Sequence, residues 1–208
     1  MGIGVDIADV IEELGVPVII LRSPNNLTEK ITYDTNDVTV PFIREHFLNA
    51  SFAYNTQIVS GDVLQFNGES YLVINKTPDS FEGGVVEYEA VIFKCNLPAG
   101  ALLVTPAETK AGSGDYTVTQ GWTVRKSPIY GLIYKGTRSA LLNSEVSAGK
   151  ETTFELFAFV SASYDSKPYD RLIISSTEYY RVQDVEKYAY PGVHVLSLVY
   201  DDRPVYVP

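Results

Sequence analysis

The chain of 208 residues and 23.0 kDa is 45% hydrophobic and 12% aromatic, enough to build a packed core and too much to remain disordered. A single cysteine, Cys95, excludes an internal disulfide framework and a cysteine-built zinc cage. Sixteen Lys and Arg against 26 Asp and Glu leave a formal charge of −10, and the cations are scattered, so a phosphate-gripping nucleic-acid surface is not expected.

The chain begins with a helix pattern. Ile7, Val10, Ile11 and Leu14 recur at helical spacing, with Asp6 as the expected N-cap and Gly15 and Pro17 as the stop. Strand patterns follow at Val16–Leu21, Leu27–Asp34, Phe52–Val59, Val63–Phe66, Tyr71–Asn75 and Val85–Phe93. A second series covers Trp122–Arg125, Ile129–Tyr134, Phe154–Val160, Leu172–Ile174, Tyr179–Asp184, Val193–Tyr200 and Val205–Val207. Asn67-Gly68 is the sharpest hairpin signal, because both residues tolerate the positive φ of a tight turn. Pro41–Ala50 reads as a second short helix. Residues 105–121, rich in Gly and Ser and poor in large apolar side chains, read as a linker or mobile loop.

The expected fold is all-β, with two related small β-barrel or sandwich modules and a short N-terminal helix. Its expected divisions are 1–104, 105–121 and 122–208. Internal self-similarity carries the two-module reading. Asp62 matches Asp170, Leu64 matches Leu172, and Glu-x-Tyr-x-Val recurs at 69–73 and 178–182. Phe52-Ala53-Tyr54 echoes Phe157-Ala158-Phe159, and Val85–Phe93 echoes Val193–Tyr200, with Gly83-Gly84 beside Pro191-Gly192.

No catalytic, metal or cofactor site is expected. His194 lies in an apolar strand, where a structural role is expected, and a Glu45–His46 neighbourhood in sequence does not bring two side chains together. There is no Gly-x-Ser-x-Gly elbow and no phosphate loop opening a helix. Cys95 reads as a small packed residue. Asp34, Thr35 and Asp37, like Asp201-Asp202, lack the spacing of a calcium loop. The sequons at Asn26, Asn49 and Asn75 carry no meaning without a secretory signal. Tyrosine is unusually common at 15, a residue suited to sheets and to recognition surfaces.

Gly61-Asp62-Val63-Leu64, then Asn67-Gly68-Glu69-x-Tyr71-x-Val73, then a long strand ending in Phe93-Lys94-Cys95-Asn96, resemble a module of the tailed-bacteriophage neck proteins of the head–tail connector, head-completion or stopper type. The resemblance covers about a quarter of the chain, and the degenerate second copy at 168–200 departs from it. It implies a structural virion protein, made in the host cytoplasm, in a homo-oligomeric ring of six or twelve copies. Its partners would be the portal or adaptor on one side and a tail terminator or tube on the other. DNA would pass through the lumen without sequence-specific binding, which a negative surface suits. No membrane partner, cofactor or enzymatic activity is expected: no apolar run reaches the ~18 residues of a membrane span and no signal-peptide layout opens the chain. Pro78–Gly84 and Gly112–Tyr116 are the loops expected to reach a partner, with Pro78, Gly83, Gly114 and Tyr116 as candidate contact residues. The competing expectation is a β-sandwich module that recognises carbohydrate or a host surface, through Trp122 or Tyr188 and Tyr190.

Overall fold

The computed structural model describes residues 2–35, 47–110, 117–136 and 155–203. One helix, α1 (Ile3–Leu14), precedes thirteen strands in the described residues. The first six are β1 (Val16–Ile20), β2 (Leu27–Thr35), β3 (Phe47–Ala53), β4 (Val63–Phe66), β5 (Glu69–Phe81) and β6 (Gly84–Lys94). They are followed by β7 (Leu102–Lys110), β8 (Thr117–Lys126), β9 (Gly131–Gly136), β10 (Glu155–Ser161), β11 (Arg171–Ser175), β12 (Glu178–Tyr190) and β13 (Val193–Tyr200). The protein is all-β with two modules, as its alternating β-branched and aromatic runs require.

The first module is a closed antiparallel barrel in the order β1-β2-β3-β6-β5-β4, shut by Ile20 pairing with Leu64. Its interior is filled by alternate residues of the six strands, among them Val18, Ile20, Phe52, Leu64, Val73 and Ile92. The second module is a seven-stranded sheet, β8-β7-β11-β12-β13-β10-β9, with its own core around Leu103, Val160, Leu172, Val182 and Leu196.

The order β3-β6-β5-β4 in the barrel recurs as β10-β13-β12-β11 in the sheet, so the sequence repeat is also a repeat of topology. Leu64 pairs with Tyr71 as Leu172 pairs with Tyr180, and Val73 with Ile92 as Val182 with Leu198. That register corrects the upstream echo. It places Ala50 in the position of Ala158, because Ile92 pairs with Leu48 and Leu198 with Leu156. Phe52 therefore corresponds to Val160 and not to Phe157.

Several local expectations also change. Helix α1 starts at Ile3, with Gly2 as N-cap and Asp6 in its first turn. Ile11 is buried and Ile7 half-buried toward β2, β3 and β6, whereas Val10 and Leu14 of the expected stripe are exposed. A stripe four residues wide is broader than the contact that a single helix makes with the curved barrel wall. Phe47–Ala50, expected to be helical, belong to strand β3, where pairing with β6 outweighs local pattern; residues 41–46 lie outside the described residues. The segment read as a linker is, at 105–110 and 117–121, part of the antiparallel pair β7 and β8, and the second sheet already begins at Leu102. Its Gly and Ser content reads as loop, but a long hairpin needs few large apolar residues on its solvent side.

The modules share a third apolar cluster. Phe47, Leu72, Ile74 and Phe93 of the barrel wall pack against Phe157, Phe159, Tyr190, Val193 and Val195 of the sheet. Phe93 meets Phe159 edge-on at 5.7 Å.

Candidate functional site

Each module carries the same polar turn where its acidic repeat residue stands. In the barrel, the Asp62 carboxylate accepts the Val59 N–H at 2.8 Å and two bonds from Arg22, Nε at 2.9 Å and Nη2 at 2.5 Å. In the sheet, the buried Asp170 carboxylate accepts the Lys167 N–H at 2.8 Å and is ion-paired with Arg125, whose Nε lies 3.0 Å away. Gly61 donates to the Val73 carbonyl and Tyr169 to the Val182 carbonyl, both at 2.8 Å. Gly61 and Tyr169 both have positive φ, +90° and +73°. The hydrogen bond from Arg22 to Asp62 outweighs burial and raises the guanidinium pKa. The arginines sit ahead of Ser-Pro in both modules, Arg22-Ser23-Pro24 and Arg125-Lys126-Ser127-Pro128, a match the sequence reading missed.

At the junction the two modules touch backbone to backbone. A Cβ on Gly61 would lie 2.0 Å from the Gly192 carbonyl oxygen, and one on Gly192 would lie 2.0 Å from that of Ser60. The β12–β13 turn of the second module thus seats on the acid-bearing turn of the first. Beside this contact runs an open cleft of about 680 Å3, with Arg22, Asp62, Lys126, Tyr130 and Tyr164 among its walls. Lys126 Nζ lies 5.4 Å above the Tyr164 ring, and burial pushes the Tyr164 hydroxyl pKa up.

Of the candidate contact residues, Pro78 and Gly83 lie together on the β5–β6 hairpin, while Gly114 and Tyr116 lie outside the described residues. The hairpin projects. β4 pairs with β5 only as far as Leu72 and β3 with β6 only as far as Glu87, so beyond these residues β5 and β6 pair only with each other among the described strands. Residues 77–85 are all exposed, including Phe81 at 52% and Val85. Between Lys76 and Lys94 the chain has Asp79, Glu82, Glu87 and Glu89 and no cation. Burial, then Glu89 and Asp79, raises the Glu87 carboxyl pKa. The turn residues are Glu82-Gly83, both at positive φ, rather than Gly83-Gly84.

The remaining candidates have other employment. Trp122 lies beneath two guanidinium groups, Arg171 at 4.0 Å and Arg203 at 4.7 Å from its ring centroid. Arg171 is fully buried and donates to Asp201 at 2.6 Å, and Arg203 donates to both oxygens of the same carboxylate. Burial alone would raise the Asp201 pKa, but the hydrogen bonds from Arg203 and Arg171 outweigh it and hold the carboxyl far below its ordinary range. Asp201 is therefore engaged by protein cations. Tyr190 is buried in the junction and Tyr188 is 96% exposed. His194 is buried on the core side of β13, with no hydrogen bond to Nδ1 among the described residues. Its pKa is lowered by burial and by Lys187. Burial pushes the Cys95 thiol up to about 12, which fits a packed residue and not a nucleophile. Among the described residues no three His, Cys, Asp or Glu side chains gather as a metal site, and no helix is long and apolar enough to cross a membrane. His46 and Asp37 lie outside the described residues.

Compared with family models, with curated proteins and with solved structures, the chain matches none.

Proposed function

We propose that the protein is a structural virion component, a ring-forming head–tail connector or neck protein of a tailed phage that joins the portal side to the tail and lets DNA pass. The observation that carries this reading is the projecting β5–β6 ribbon. It leaves a closed barrel whose Gly61–Val73 hairpin resembles the neck module, and it ends in an exposed aromatic turn. A two-stranded ribbon is marginal alone in water, so an arm of this kind is suited to completion by a neighbour. The excess of acid on the chain, and on the ribbon in particular, suits a ring through which DNA slides without sticking.

The test is the mass of the purified chain in solution together with electron microscopy. Rings of six or twelve copies, enlarged by portal-side or tail proteins, are the expected result. A chain that stays monomeric at every concentration and next to those partners would overturn the reading.

The cleft between the modules favours one alternative, a module that recognises carbohydrate. Its tyrosines, Asp62 and serine hydroxyls are groups that stack on and hydrogen-bond to sugar rings. Binding on a glycan array by a monomer, lost in Tyr130→Ala, would favour that reading over assembly.

A further inference from the structure

We propose that the β5–β6 turn of one copy seats on the Lys167–Arg171 loop in the second module of the next copy, in the place that corresponds to the junction within one chain but through side chains instead of backbone. The proposal rests on the ring reading above and names its interface.

The template is the junction. There the β12–β13 turn, Pro191-Gly192, lies against Ser60-Gly61, and Tyr190, the last residue of β12, is buried between the modules. Each half of this contact has a counterpart elsewhere. Phe81 ends β5 as Tyr190 ends β12; it stands eight residues after Val73 as Tyr190 stands eight after Val182, and pairs across a two-residue turn in the same way. The Lys167–Arg171 loop corresponds to Val59–Val63, with the same carboxylate cap, the same strand-to-strand hydrogen bonds and the same positive φ at its third residue. Within the chain one turn and one loop are joined. The other turn and the other loop are both open to solvent: Phe81 is 52% exposed and Tyr169 67%.

The open partners also complement each other. The ribbon bears Asp79 and Glu82 beside its turn and no cation. The loop bears the exposed Lys167, ion-paired with Asp165 at 3.2 Å, and behind it Arg125, paired with Asp165 and Asp170, and Arg203, which donates to the Tyr169 carbonyl. The side chain at Tyr169, where the barrel has Gly61, forbids the backbone contact seen at the junction and offers a ring face to Phe81 instead. Helix α1 packs closely on the ribbon base, where a Cβ on Gly4 would lie 3.2 Å from the Val86 Cα. A turn on the first module meeting a loop on the second is a heterologous contact. Such contacts propagate from copy to copy and close into a ring when the rotation allows.

Two measurements test this separately from the ring itself. Full-length Glu82→Cys and Lys167→Cys chains are mixed in equal amounts and oxidised, with each variant alone as control. A disulfide-linked dimer specific to the mixture is expected, and its absence would overturn the contact. In parallel, Phe81→Ser and Lys167→Glu are each expected to weaken self-association by about tenfold or more, the effect of losing one central contact. Combining Lys167→Glu with Glu82→Lys is expected to restore most of it. If the unaltered chain forms rings and all these variants assemble unchanged, the ring reading stands and this interface is wrong. If the unaltered chain stays monomeric at every concentration and the mixture yields no linked dimer, both fail.

Discussion

Gly61 and Gly192 show how much one hydrogen-for-methyl exchange can decide. Each has positive φ, and each lies against the other's backbone with no room for a side chain. Gly61→Ala or Gly192→Ala is expected to cost about 3 kcal/mol or more, combining overpacking against rigid backbone with a strained conformation. Urea titration checks this. Gly68→Ala serves as the comparison: its φ is also positive, but open space surrounds it, so a cost of about 1 kcal/mol is expected. The two repeat tyrosines separate in the same manner. From sequence alone, replacing either with Ala is expected to cost about 3–5 kcal/mol if both are buried. Tyr71 is buried and stacked on Phe66 at 4.4 Å, so that figure holds for Tyr71→Ala. Tyr180 is half-buried with its hydroxyl on Glu178, and about 1–2 kcal/mol is expected for Tyr180→Ala. The repeated motif treats the two alike; it does not show that Tyr71 belongs to a closed barrel and Tyr180 to an open sheet.

Among elements, the close of the second sheet depends on charge. Arg171, fully buried on β11, shares the buried Asp201 carboxylate with Arg203, while Trp122 of β8 lies against both guanidinium groups. Removing the acid leaves buried cations uncompensated, so Asp201→Asn is expected to destabilise by about 3–5 kcal/mol. The sign of the acid response follows. The folded carboxyl titrates below the unfolded one, near 3.9. Its contribution is therefore complete above about pH 5 and is lost as the pH falls through the acid range. Nothing in the spacing of Trp122, Arg171, Asp201 and Arg203 announces this cluster, since its members come from three separate segments. By contrast the Asn67-Gly68 hairpin, with φ of +51° and +78°, was plain in the sequence because both its determinants are adjacent. On the ribbon, Gly83 was legible as a turn residue from composition, whereas Pro78, read as loop, lies in β5 opposite Tyr88. The exposure of Phe81 was not legible, because it depends on where β4 and β3 stop pairing with the ribbon.

At the scale of the whole molecule, the junction cluster joins the two modules through a shared apolar core. Phe93 belongs to the barrel wall yet packs on Phe47 and on Phe159 of the sheet. A single cooperative unfolding transition is expected for the unaltered protein, followed by calorimetry and fluorescence together. Phe93→Ala is expected to cost about 3–5 kcal/mol and to separate the transitions of the two modules. His194 adds a second pH dependence. Its folded pKa lies below the ordinary value near 6.5 because burial and Lys187 disfavour the cation, with Asp165 opposing weakly. The unfolded chain then binds the extra proton first, so stability is complete above about pH 7 and declines as the pH falls below it. Denaturant midpoints measured between pH 8 and pH 5 are expected to fall on the acid side, and His194→Gln to flatten that slope.

Chain order alone determined the β class, the tight hairpin and the repeated motif, because alternation, turn residues and motif spacing are properties of neighbouring positions. Closure of the first module, insertion of β7 into the second, and the choice of which aromatic is hidden were decided by long-range pairing. Tyr190 and Phe81 occupy matching places in matching strands, and they differ because only one of those turns finds another module of the same chain to rest on.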